Sequence, residues 1–121
     1  MTENNPDVVI DLSVIEALRE LGGEDDPGLV VELIDLYLLD APERIREIKT
    51  ALVSEDFDLL ERAAHTLKSA SANIGALALS GFCKELEMMA RDSSVANPDS
   101  LAEQSQVAFD EVFVALTDLK S

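Results

Sequence analysis

Leu60-Glu61-Arg62-Ala63-Ala64-His65-Thr66-Leu67-Lys68-Ser69-Ala70-Ser71-Ala72-Asn73-Ile74-Gly75 is the stretch that decides the reading of this 121-residue chain. With His65 as the zero of a helical wheel at about 100° per residue, Leu60, Ala63, Leu67, Ala70 and Ile74 gather between roughly 140° and 220°. That spacing predicts an amphipathic helix whose apolar stripe is buried and whose histidine, the only one in the chain, faces solvent. Glu61, Arg62, Lys68, Ser69 and Ala72 fall within about 60° of His65, so its immediate neighbours are all polar or small. Asp56, closing the acidic turn Ser54-Glu55-Asp56, is the expected N-cap; the helix should run to Ile74, where Gly75 ends or sharply bends it.

Outward from this helix the pattern stays helical. A short helix is expected from near Ser13, where Ser13 and Glu16 have capping-box spacing, to Gly22-Gly23. Asp25-Asp26-Pro27 marks the next start, with Pro27 suited to a first turn. Leu29, Val30, Leu33, Ile34, Tyr37, Ala41, Ile45, Ile48 and Leu52 then form one long stripe. Pro42 removes a ladder bond within it and predicts a kink or brief break around Asp40 to Pro42. Beyond Gly75, a helix from Ala76 to about Arg91 carries Leu79, Phe82, Cys83, Leu86, Met89 and Ala90 on one side. Residues 92–96 read as a loop. Asn97-Pro98 then supplies an N-cap and first-turn proline for a last helix with Leu101, Ser105, Ala108, Val112, Ala115, Leu116 and Leu119 inside. Short connections require antiparallel neighbours. The expected architecture is all-α: an antiparallel up-down-up-down four-helix bundle with a short N-terminal capping helix, one domain over residues 1–121, with 1–10 frayed.

Composition agrees and narrows the partners. A chain that is 47% hydrophobic and only 4% aromatic suits one helical core rather than a sheet. A net charge of −16 would repel nucleic acid and anionic membrane surfaces, so neither is an expected partner. No apolar run approaches the ~20 residues of a membrane span. Residues 1–7 have neither a basic segment nor an apolar signal core, which points to a cytoplasmic protein. A lone Cys83 cannot form an internal disulfide and reads as core. No surplus apolar face is evident, so a monomer is expected. No clustered ligands suggest a metal site.

Imidazole offers a neutral nitrogen nucleophile near pH 7, provided an acceptor on the other ring N–H fixes the tautomer. If Gly75 turns a hairpin, a residue roughly ten to twelve positions later returns to the level of His65, which points to Glu85, Leu86 and Glu87. Leu86 belongs to the core stripe, leaving either carboxylate. Lys68 stands one turn from His65, where an ammonium could offset the charge of a phosphate. Seven of the nine basic residues lie between Arg44 and Arg91, concentrating positive charge near His65. With no Gly-rich phosphate loop and no nucleophile-base constellation, the remaining chemistry must come from another molecule.

The run Ala64-His65-Thr66-Leu67-Lys68-Ser69-Ala70-Ser71-Ala72-Asn73-Ile74-Gly75-Ala76 resembles the signature of histidine-containing phosphotransfer (HPt) domains. In these an Ala-His-x-Leu-Lys-Gly run ends in Asn-x-Gly-Ala or similar. The Asp-x-Pro-Glu-Arg pattern at Asp40 to Arg44, the acidic turn Glu55-Asp56 and the Cys83-x-x-Leu86-Glu87 pattern are also similar, so the resemblance runs from about Leu29 onward. It implies a phosphoryl carrier rather than an enzyme, with His65 as phosphoacceptor, Lys68 neutralising the phosphate and Glu87, before Glu85, orienting the imidazole. Arg62, Ser69, Ala72 and Gly75 would receive the partner, a receiver domain of a response regulator or hybrid histidine kinase. That receiver would supply the aspartate and Mg²⁺, and this chain would bind no cofactor. Where the family commonly has glycine, this chain has Ser69, still small. A chain ending at Ser121 with no kinase segment favours a receiver-to-receiver shuttle over a phosphoacceptor served directly by a kinase. A helical adaptor that is never phosphorylated is the expectation from a different class.

Overall fold

The computed structural model describes residues 8–120. Its elements are α1 (Leu12–Gly22), α2 (Leu29–Ser54), α3 (Phe57–Asn73), α4 (Leu77–Arg91) and α5 (Pro98–Lys120), and no strand occurs among the described residues. Helix α2 packs on α3 and α5, α3 on α4, and α4 on α5, while α1 lies on α2; the α3/α4 seam is the most extensive. The core they enclose is aliphatic, with Ile34, Ile48, Leu52, Leu60, Leu67, Leu86 and Leu116 fully buried. Each such side chain contributes about 1.5–3 kcal/mol by leaving water.

Several local expectations change. The cap of α1 is Asp11, not Ser13: the Asp11 carboxylate accepts from Ser13 N at 2.9 Å and from Ser13 Oγ at 2.6 Å, so Ser13 acts as donor. Pro27 is not in the first turn of α2, which begins at Leu29 with Gly28 as its cap. Of the kink or brief break expected around Asp40 to Pro42, the break does not form; α2 runs unbroken for 26 residues through Pro42. Ala41 and Ile45 on either side are 1% and 2% exposed, and this burial outweighs one missing ladder bond.

Of the fray expected over residues 1–10, Ile10 is instead core at 8% exposed and Val9 packs against it; residues 1–7 lie outside the described residues. On α5, Ala102 and Phe109 are buried, whereas Leu101, Ala108, Ala115 and Leu119 are only partly so.

The site helix α3 is capped as expected, the Asp56 side chain accepting from Leu59 N at 3.1 Å. Its buried face is Leu60, Ala63, Ala64, Leu67 and Ser71, with Ala70 at the edge. Ser71 can be buried because its hydroxyl meets Tyr37 Oη at 2.8 Å across the α2/α3 seam, leaving neither hydroxyl unpaired. Between α3 and α4 the chain reverses at Gly75, whose φ of +90° suits a residue without Cβ. Its carbonyl accepts from Asp11 N at 2.8 Å, which fixes the start of α1 over the turn.

Candidate functional site

The reversal at Gly75 lays α4 against α3 so that Glu87 comes level with His65. Glu87 is 2% exposed, yet its carboxylate is saturated. Oε2 accepts from His65 Nδ1 at 2.8 Å and from Arg91 Nη2 at 2.8 Å, while Oε1 accepts from Lys68 Nζ at 2.7 Å. Burial alone would raise the Glu87 carboxyl. Hydrogen bonds from Lys68 and His65, with the charges of Lys68 and Arg91, outweigh it and hold the group below its ordinary value. Glu87 is therefore ionised at neutral pH and can only accept. The proton of a neutral imidazole must then reside on Nδ1, leaving Nε2 with its lone pair. The imidazole side chain is 59% exposed, and no described residue hydrogen-bonds Nε2.

The other expected residues divide. Lys68 joins the cluster through Glu87, with its side chain 29% exposed and its backbone carbonyl accepting from Ser80 Oγ at 2.9 Å. Arg62 and Ser69 are exposed on the His65 face and Ala72 is half-buried. Glu85 is exposed and takes no part in the cluster; of the two candidate carboxylates the turn brings only Glu87 to the imidazole. Gly75 does not belong to an open docking face. It is buried, and a Cβ there would stand 2.9 Å from Asp11 O and 3.2 Å from Val14 Cβ, because α1 covers it. Cys83 is core as expected, burial and the nearby Glu87 charge pushing its thiol up to about 12, far from a reactive thiolate.

Two participants escaped the sequence reading. Arg91 reaches Glu87 from one turn further along α4, and its Nε donates at 2.7 Å to Glu61 of α3. The i,i+4 spacing of Glu87 and Arg91 is the signal that could have found the first contact; the second crosses between helices and has no local signature. Beside His65 a shallow groove of about 530 Å³ is lined by Arg44, Glu47, Arg62 and Arg91, among others. Arg44 Nη1 pairs with Glu47 at 3.0 Å, whereas its buried Nε has no hydrogen bond. Among the described residues no group of His, Cys, Asp and Glu is arranged to hold a metal ion, and no helix is long and apolar enough to cross a membrane.

The family model for the Hpt domain matches residues 32–119. Histidine-containing phosphotransfer protein 2 of Oryza sativa subsp. japonica is 33% identical over 82 residues, covering 66% of this chain and 54% of that protein. The chain thus spans about half the length of that relative. Among solved structures, the crystal structure of histidine-containing phosphotransfer protein B (HptB) from Pseudomonas aeruginosa PAO1 superposes with a TM-score of 0.81 at 34% identity. The match covers 93% of this chain and 94% of that one.

Proposed function

The chain belongs to the Hpt domain family, and from that membership we propose that it is a phosphorelay carrier holding a phosphoryl group on Nε2 of His65. The observation that carries this is the pairing of an exposed imidazole with a buried, ionised Glu87 at 2.8 Å from Nδ1. In the transfer, Nε2 attacks the phosphorus of an aspartyl phosphate on a receiver. The Nε2–P bond forms, and the P–O bond breaks with its electron pair returning to the aspartate. The Nδ1 proton stays in place, so the phosphorylated ring carries positive charge directly against the Glu87 carboxylate. Delivery to a second receiver is the same step reversed. Lys68 turns from Glu87 toward the phosphoryl oxygens, and Arg62, Ser69 and Ala72 form the surface on which the receiver sits. The receiver brings the aspartate and the Mg²⁺ that polarises the phosphoryl group.

The same reading takes the four long helices in antiparallel up-down-up-down order, which the short connectors and the closed cycle of contacts from α2 through α5 support. It takes the chain as one domain, a monomer and a cytoplasmic protein without a cofactor of its own. Incubation with a phosphorylated receiver and Mg²⁺, native protein against His65→Gln, tests it. Acid-labile, alkali-stable label on the native protein alone is expected. Equal receiver binding with no label on either protein would leave a helical adaptor. Label obtained only from an ATP-bound kinase domain would make the chain a kinase-served phosphoacceptor.

A further inference from the structure

Glu61 has no part in the transfer described above, yet it holds one of the site's cations. Arg91 Nε donates to the Glu61 carboxylate at 2.7 Å. The same guanidinium donates through Nη2 to Glu87 Oε2 at 2.8 Å, the oxygen that also accepts the hydrogen bond from His65 Nδ1. Arg91 is therefore suspended between two carboxylates beside the imidazole, on a side chain that is 59% exposed and can swing. Glu61 precedes His65 by about one helical turn and shares its exposed face. A phosphoryl group carries roughly one to two negative charges near neutral pH and is the anion that a guanidinium fork matches best. Once on Nε2 it would compete with Glu61 for Arg91.

We propose that Glu61 is a positioning residue that restrains Arg91 from the phosphoryl group and so keeps the phosphohistidine at position 65 labile, setting how readily the group is given up. This rests on His65 being the phosphoacceptor. Removing the Glu61 charge would free the guanidinium to close on the phosphoryl oxygens, which stabilises the phosphorylated form and slows its loss.

Phosphoramidate tests this without any protein partner. It phosphorylates the ring chemically: the donor's P–N bond breaks, ammonia leaves with the electron pair, and the Nε2–P bond forms while Nδ1 keeps its proton. Decay is then hydrolysis, in which a water oxygen bonds phosphorus and the Nε2–P pair returns to the ring. Native protein, Glu61→Gln, Arg91→Gln and the double variant are labelled and their decay followed by ³¹P spectroscopy, with His65→Gln as blank and thermal melts to check folding. Glu61→Gln should slow decay about two- to fivefold, the size of an exposed ion pair. It should have no effect when Arg91 is already Gln, and Glu61→Asp should restore most of the native rate. Unchanged decay in Glu61→Gln overturns the proposal, as does equal slowing in the Arg91→Gln background, which would reduce Glu61 to simple charge repulsion. If decay follows the expected pattern while no receiver exchanges phosphoryl groups with the native protein, the carrier reading fails and the role of Glu61 stands. Failure of phosphoramidate to label the native protein removes both.

Discussion

Replacing Glu87 by Ala withdraws the acceptor that holds the His65 ring. A hydrogen bond to a charged group is worth about 1.5–3 kcal/mol when shielded. Here the imidazole side is 59% exposed and water competes for Nδ1, so the effect falls to the bottom edge of that range. A ring free to populate both tautomers and to rotate should transfer phosphoryl roughly tenfold more slowly, equivalent to about 1.4 kcal/mol. Glu87→Gln keeps an acceptor for Nδ1–H but not the charge that faces the phosphorylated ring. Its loss should be smaller, about threefold, or roughly 0.6 kcal/mol. Single-turnover transfer from a saturating phosphorylated receiver measures both, and ¹⁵N spectra of the ring report the tautomer. Transfer by the Ala variant within about twofold of native, too little for a shielded hydrogen bond, would refute this reasoning. So would a native ring carrying its proton on Nε2.

Because the folded protein holds the Glu87 carboxyl below its ordinary 4.5, it binds fewer protons than the unfolded chain in that range. The stabilisation is complete above about pH 4.5 and is lost as pH falls through the folded value. Acid melts of Glu87→Gln should accordingly fall less steeply below that pH than native melts. Gly75→Ala, at a φ of +90° and with a Cβ 2.9 Å from Asp11 O, should lose about 2–4 kcal/mol in urea unfolding. Gly81→Ala, inside α4 with open space at its Cβ, should instead gain about 0.5–1 kcal/mol in the same assay. Tyr37→Phe leaves the buried Ser71 hydroxyl without its partner and should cost about 1–2 kcal/mol; adding Ser71→Ala should recover part of it.

What could be read from the sequence was whatever a single helix decides for itself. The Asp56 cap, the turn at Gly75 and the exposure of His65 depend on spacing within one segment, and each is found in the structure. Ser13 looked like a cap because the carboxylate that does the capping, Asp11, stands just before it. The misreadings at Gly75 and Pro42 share the opposite property. Gly75 looked open because the segment that covers it, Asp11 to Val14, belongs to another helix. A break at Pro42 looked possible because a local rule does not weigh the core packed along both halves of α2. At the site, the level of Glu87 followed from the length of the hairpin, but its burial followed from the close α3/α4 seam. The pairing of Arg91 with Glu61 became visible only when that seam brought the two helices together.

That burial governs which parts of the site can respond to a phosphoryl group. Around the imidazole two carboxylates, Glu61 and Glu87, stand against two cations, Lys68 and Arg91. On the proposed reading, an arriving phosphoryl group would add negative charge to this set. Glu87 cannot turn away, because its side chain is 3% exposed and its own charge would be left unpaired in the seam. Lys68 and Arg91 are the groups with room to move, at 29% and 59% exposed, and each leaves a hydrogen bond behind when it does. On the proposed reading Lys68 would give up its bond to Glu87, whereas Arg91, held by Glu61, would keep its bond to Glu87. The Glu87 carboxylate would therefore still have Arg91 as a cation when Lys68 turns to the phosphoryl group.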